Sequence, residues 1–187
     1  MSIASDHAHT AAHFSDLVAG TTDWDAPTPV PEWVARDVVH HLVTWLPGFL
    51  GGAGVDLAPG PDAATEPAAA WAHQVEQVQR LLDDPATEQI VYRSEHMVDR
   101  PLPEVISDFY IADIFMHSWD LARATGQDDT LDAARCQAMY DGMLPMSHML
   151  QASGQFGTPV PVPDDAPAQD KLMGLIGRDP QWRPPGS

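Results

Sequence analysis

Asp113-Ile114-Phe115-Met116-His117-Ser118-Trp119-Asp120 is the stretch on which the reading of this chain turns. An aspartate and a histidine stand four residues apart inside a strongly apolar segment. On a helix, positions i and i+4 project from one face, one turn apart. Ile106, Phe109, Asp113, His117 and Ala124 then share a stripe, while Ile111, Ala112, Phe115, Met116 and Trp119 cover most of the remaining surface. A helix apolar nearly all round is buried. A lone carboxylate there is costly unless it is paired or bound to a metal. Asp113 therefore needs partners, and the fold must be a helical assembly with this helix inside it.

Working outward, hydrophobic period predicts helices over about 3–20, 34–46, 67–83, 101–125 and 130–150, with a short one over 168–176. Gly20 and Gly126 are placed to end helices, and Pro47-Gly48 to stop the second. Pro27, Pro29 and Pro31 cannot sit inside a helix, so Trp24 to Trp33 reads as a stiff, extended connection with a tryptophan at each end. Residues 51–65 read as a loop, Ile90-Val91-Tyr92 as a short β-like patch, and 156–163 as extended. The expected fold is all-α: a four-helix bundle over 1–155, and an extended tail over 156–187 whose short helix packs on the bundle.

Nine histidines need sorting by face. In the second helix Val34, Val38, His41, Leu42 and Trp45 fall together, whereas Arg36, Asp37, His40 and Thr44 fall opposite. His41 thus points inward and its neighbour His40 outward. His41, Asp113 and His117 make a two-histidine, one-carboxylate set. It suits a first-row divalent ion, zinc foremost and nickel or iron as alternatives, with positions left for water or substrate. The competing reading is a hydrogen-bonded His–Asp pair with His41 a satisfied core histidine. His7, His9 and His13 read as surface or amphipathic positions, with an inward His7 on the stripe of Ile3, Thr10, Phe14 and Leu17 as the alternative; His73 reads as solvent-facing, and His148 as part of a core-packing stretch with Met143, Met146 and Met149. His96, in a loop, is a candidate to approach the site. Asp120 is placed to accept from a ligand imidazole or to pair with an arginine. Arg123 is placed to bind an anionic substrate group or to close an ion pair.

Composition excludes several classes. Asp and Glu number 27 against 9 Lys and Arg, a formal charge of −18. Such a surface disfavours nucleic acid and anionic membranes. No apolar run approaches the roughly 18 residues of a membrane span, and the first residues lack a basic, then apolar, leader pattern. Cys136 is the single cysteine, so neither an intrachain disulfide nor a thiolate cluster is available, and a reducing cytoplasm fits best. Dinucleotide, phosphate-loop and serine-elbow motifs are absent.

Three segments together resemble a known family. Pro27-Thr28-Pro29-Val30-Pro31-Glu32-Trp33 followed by Arg36-Asp37-Val38-Val39-His40-His41-Leu42 is similar to the opening of the DinB-like, mycothiol-dependent maleylpyruvate isomerase superfamily. Ile111 to Gly126 resembles that family's fourth-helix signature. Phe156-Gly157 through Asp165, with Leu175-Ile176-Gly177-Arg178-Asp179-Pro180, is similar to a small actinobacterial-type subfamily. The resemblance implies a four-helix bundle holding a metal through His41, Asp113 and His117. It implies a small-molecule thiol such as mycothiol at the open position, attacking an electrophile as a transferase or isomerase. Asp120 becomes an orienting group, and Trp45, Trp119 and Arg123 become pocket walls. Maleylpyruvate isomerases of this kind carry glutamate at the Asp113 position and a further C-terminal domain. The expectation is therefore for metal–thiol chemistry in general. A non-catalytic metal- or ligand-binding bundle, with a homodimer as one form of it, and a metal-assisted enzyme with thiol-independent chemistry are the alternatives.

Overall fold

Each long helix starts and stops for a reason legible in its residues. In the computed structural model, which describes residues 2–94 and 97–185, α1 spans Ile3–Gly20 and is capped by Ser2, whose hydroxyl accepts from the Ser5 amide at 3.2 Å. Helix α2 spans Ala35–Gly51. At its start Asp37 accepts from the Val34 amide at 2.8 Å. Helix α3, Pro67–Asp83, opens on proline, whose missing N–H costs nothing at a first turn. A 3-10 turn, Pro85–Gln89, leads to an antiparallel hairpin of β1 (Val91–Ser94) and β2 (Met97–Pro101), with Tyr92 opposite Arg100. Helix α4, Leu102–Val105, runs through a π-helical stretch, Ile106–Ile111, into α5, Ala112–Thr125. Gly126 ends α5 in the left-handed conformation, φ 68°, with its amide on the Ala122 carbonyl. Then come α6 (Ala133–Met143), α7 (Ser147–Ala152) and α8 (Ala168–Leu175).

Helices α1, α2, α3 and α5 make the bundle: α1 and α2 each pack against both α3 and α5. Phe14, Val38, Leu42, Leu46, Trp71, Ile106, Ile111, Ile114 and Leu121 fill its core. Truncating one of these to alanine costs about 2–5 kcal/mol of the fold's stability. A second apolar cluster lies on the other side of α5. There Phe115, Met116 and Trp119 meet Leu131 and Cys136, together with Leu172, Met173 and Ile176 from the tail. The all-α reading holds, and α5 has apolar neighbours on both sides, as its sequence requires. No helix among the described residues is long and apolar enough to cross a membrane.

Four expectations need correction. Pro47 does not stop α2, which carries on to Gly51 because Leu46 and Leu50, both fully buried, hold the following turn in the core. Pro145 does interrupt the predicted helix over 130–150: a 3-10 turn over Leu144–Met146 separates α6 from α7. No fully buried side chain flanks Pro145 to compensate. The methionine stretch is core only at its start: Met143 packs against the second cluster, whereas Met146 is 45% and Met149 66% exposed. Finally, residues 24–33 are not simply extended. The Thr28 amide donates to the Trp33 carbonyl at 3.0 Å and the Trp33 amide to Val30 at 3.2 Å, so the segment doubles back. Its sharpest bend is at Glu32, φ 67°, a left-handed conformation that strains any residue with a Cβ.

Candidate metal centre

The π-helical stretch comes just before the first candidate ligand. Its extra residue shifts the faces of the rod, so Phe109, aligned with Asp113 by a uniform period, is 41% exposed while Ile106 and Tyr110 are fully buried. Past Ile111 the helix is regular, and Asp113 and His117 keep their i, i+4 relation. His117 Nε2 lies 3.4 Å from Asp113 Oδ1. From α2, His41 Nε2 meets Asp113 Oδ2 at 2.9 Å. The two imidazoles stand edge to face, ring centroids 4.9 Å apart. One donor atom from each of the three residues lies within 4.8 Å of the others. Ligands on one tetrahedral first-row ion sit roughly 3.3–3.6 Å apart, given metal–ligand bonds of about 2.0–2.2 Å. The His117–Asp113 spacing is already of that size, and the His41–Asp113 spacing is that of a hydrogen bond. Two imidazole nitrogens and a carboxylate are donors that zinc and its first-row neighbours accept, so the cluster can hold a metal ion.

Further contacts fix the ligands. The Trp45 indole N–H donates to Asp113 Oδ2 at 3.0 Å. His117 Nδ1 lies 2.9 Å from Asp120 Oδ2, the spacing of a carboxylate–histidine pair. With the proton on Nδ1, the Nε2 lone pair faces the triad. Asp120 is fully buried and also receives the Arg178 guanidinium, Nη2 to Oδ2 at 2.9 Å and Nε to Oδ1 at 3.3 Å. Asp120 thus meets both expectations for it, an imidazole acceptor and an arginine partner. Burial by itself would raise the carboxyl pKa values of Asp113 and Asp120. For Asp113 the His117 and His41 imidazoles and the Trp45 indole outweigh burial and hold it below the ordinary aspartate value. For Asp120 the Arg178 guanidinium and His117 do the same.

Outside the triad lies a groove of about 470 Å³ lined by Glu32, Trp33, Asp37, His40 and His41. Trp33 covers both histidines: its ring is stacked on His117 at 5.7 Å and tilted against His41 at 5.1 Å. Ala35 N to Ala26 O (2.9 Å) and Arg36 N to Trp24 O (3.1 Å) tie the doubled-back loop to the start of α2, which sets the ring in place.

The remaining sequence candidates fall elsewhere. Trp119, two residues past His117, points to the opposite side of α5 and is fully buried in the second cluster. Arg123 lies over the Trp119 ring at 4.9 Å, pairs with Asp129, and donates to the Trp182 carbonyl at 3.2 Å. It closes an ion pair and binds the tail. His96 lies outside the described residues. His73 Nε2 donates to the Ala58 carbonyl at 2.9 Å, tying α3 to the loop before it. His7 takes the inward one of its two readings: it is fully buried, with Nδ1 2.7 Å from Gln79 Oε1. Two residues of the site went unassigned in the sequence reading. Trp33 had a signal, since it directly precedes the helix that carries His41. Arg178 stood in the C-terminal segment that carries the resemblance, but 58 residues separate it from Asp120 and no local pattern joined the two.

Two proteins of Mycobacterium tuberculosis are similar to this chain: "Uncharacterized protein Rv0738" of strain ATCC 25618 / H37Rv and "Uncharacterized protein MT0763" of strain CDC 1551 / Oshkosh. Each is 28% identical over 163 residues, covering 81% of this chain and 83% of the relative. The relation is distant homology, and the relatives' names carry no activity. No family model matches the chain, and no solved structure matches it significantly.

Proposed function

We propose that this chain is a divalent-metal-dependent enzyme acting on a low-molecular-weight thiol of the mycothiol kind, as a transferase or isomerase, with zinc the expected metal. One observation carries the reading: His41, Asp113 and His117 converge beside an open groove, and no fourth histidine, cysteine or acidic donor joins them among the described residues. Three protein donors leave a position for a reactant, whereas structural zinc sites are closed by four. A divalent ion held there lowers the pKa of a coordinated thiol, supplying thiolate at neutral pH.

The chain's own groups do the rest. Asp120 holds the His117 Nδ1 proton and so presents Nε2 to the ion. Trp45 holds Asp113 Oδ2, and Trp33 covers the histidines and narrows access of water to them. The protein's single thiol is not the nucleophile. Cys136 lies in the second cluster, on the far side of α5, and burial pushes its pKa up to about 11. An external thiol fits the site better.

Elemental analysis of metal-replete protein, followed by thiol titration of the Co²⁺-substituted form, tests this. Stoichiometric metal, and a visible spectrum perturbed by millimolar mercaptoethanol, are expected. Absence of stoichiometric metal removes every metal reading. A bound metal whose spectrum ignores thiols removes the thiol reading. It leaves a non-catalytic metal-binding bundle or thiol-independent metal chemistry.

A further inference from the structure

We infer that Arg178, contributed by the C-terminal segment, is a positioning residue for the metal centre, so that docking of that segment and loading of the triad are coupled. The inference rests on the metal reading above and adds to it a residue outside the bundle's helices.

Arg178 reaches the site from a separately packed piece of chain. Helix α8 docks through Leu172, Met173 and Ile176 on the second cluster, and the Val160 amide ties the preceding strand-like segment to Gly174 at 2.9 Å. The chain then turns at Gly177, φ 86°, where a Cβ would stand 2.5 Å from the Gly157 backbone, so glycine is required there. That turn delivers Arg178. Its amide bonds the Met173 carbonyl at 2.9 Å, and Nη1 bonds the Ile176 carbonyl at 3.0 Å. Two guanidinium nitrogens remain, and both go to Asp120, one to each carboxylate oxygen.

This fork fixes the plane of the Asp120 carboxylate, which a single hydrogen bond would leave free to rotate. The same Oδ2 receives the His117 ring nitrogen. Ring orientation at His117 is therefore set by a guanidinium 61 positions along the chain, and Nε2 of that ring is a metal donor. A buried ion pair is weak evidence for stability in itself. The link onward to a triad histidine gives this one a role in the site. Coupling between two equilibria is reciprocal: if the docked segment favours the metal-ready ring, bound metal favours the docked segment.

The test uses the full chain and Zn²⁺ alone, with affinity read by competition against a chromophoric chelator. Arg178→Met is expected to weaken zinc by about 10–100-fold, the range for loss of groups that orient a ligand. Arg178→Lys, with charge but no fork, should fall between it and the wild type. Zinc should slow hydrogen exchange in α8 and at Gly177–Arg178 of the wild type, and this slowing should vanish in Arg178→Met. A purely structural role would lower Tm and leave zinc affinity and the zinc-dependent protection unchanged, which overturns the inference. Should Arg178→Met not fold, Arg178→Lys carries the test: zinc affinity and zinc-dependent protection equal to the wild type overturn the inference. A wild type that binds no zinc overturns the metal reading itself, and the coupling with it.

Discussion

His7 and His117 are both buried histidines on helices that face the bundle interior, and their surroundings could hardly differ more. His7, on α1, is fully buried and faces a neutral amide. Gln79 donates through Nε2 to the Ala4 carbonyl (3.2 Å) and Asp83 (2.9 Å), so its Oε1 must accept from His7 Nδ1–H. Among the described residues, His7 Nε2 has no hydrogen-bond partner. Burial lowers the His7 pKa, with Gln79, Asp83 and Asp6 only partly opposing it. His117, on α5, has a carboxylate at each ring nitrogen, Asp113 at 3.4 Å and Asp120 at 2.9 Å, and a second histidine beside it. Depth is common to both. What separates a packing histidine from a candidate ligand is the charge and number of the groups converging on its second nitrogen.

The widest separation between the two should appear in metal binding. His41→Ala or Asp113→Ala removes a donor and should cost more than the roughly 100-fold that loss of an orienting group can cost. His7→Phe should leave zinc affinity within about two-fold, since no triad contact passes through His7. Isothermal titration on the three variants checks this, and a comparable loss in His7→Phe would erase the distinction. Next in size, His117→Gln should abolish a Co²⁺ spectrum that Gln79→Leu leaves intact, although both changes strike a partner in a buried imidazole pair.

A smaller effect distinguishes the histidines by pH. His7 titrates below its ordinary value of 6.5 in the folded protein. Below that pH the unfolded chain takes up the proton first, so the contribution of neutral His7 is present above pH 6.5 and lost as pH falls toward its folded pKa. Tm of the metal-free protein should therefore drop more steeply with acidification in the wild type than in His7→Phe. Equal slopes would show that His7 is not the responsible group. The smallest effect concerns the second cluster. Cys136, its pKa raised to about 11, should remain unalkylated by iodoacetamide at pH 8 in native protein and react on unfolding. Rapid native alkylation would place a reactive thiol where only packing is expected.

Legibility followed distance along the chain. Asp113 and His117 were readable because one helical turn joins them, and His41 because the apolar stripe of α2 separates it from His40. Helix faces could not show that Trp33 lies over both imidazoles, since that depends on a loop bent at Glu32 against the preference of its backbone. The two interior prolines make the same point. Pro47 and Pro145 look alike locally, yet α2 survives its proline and the α6–α7 segment does not. The difference is the buried leucines on either side of Pro47 and the exposed Leu144 and Met146 around Pro145. Likewise the methionines over 143–149 have core-like composition, and only packing reveals that Met143 is covered while Met146 and Met149 are not.

By itself the sequence determined the all-helical architecture and the pairing of Asp113 with His117, because both follow from a 3.6-residue period and from the cost of burying an unpartnered carboxylate. Tertiary structure alone decided that the inward face of α2 meets that carboxylate, and that a distant arginine holds the group orienting its partner. His41 and Trp45 reach Asp113 from another helix, and Arg178 reaches Asp120 from the far end of the chain. Such contacts depend on how separate elements pack, and no local pattern encodes them.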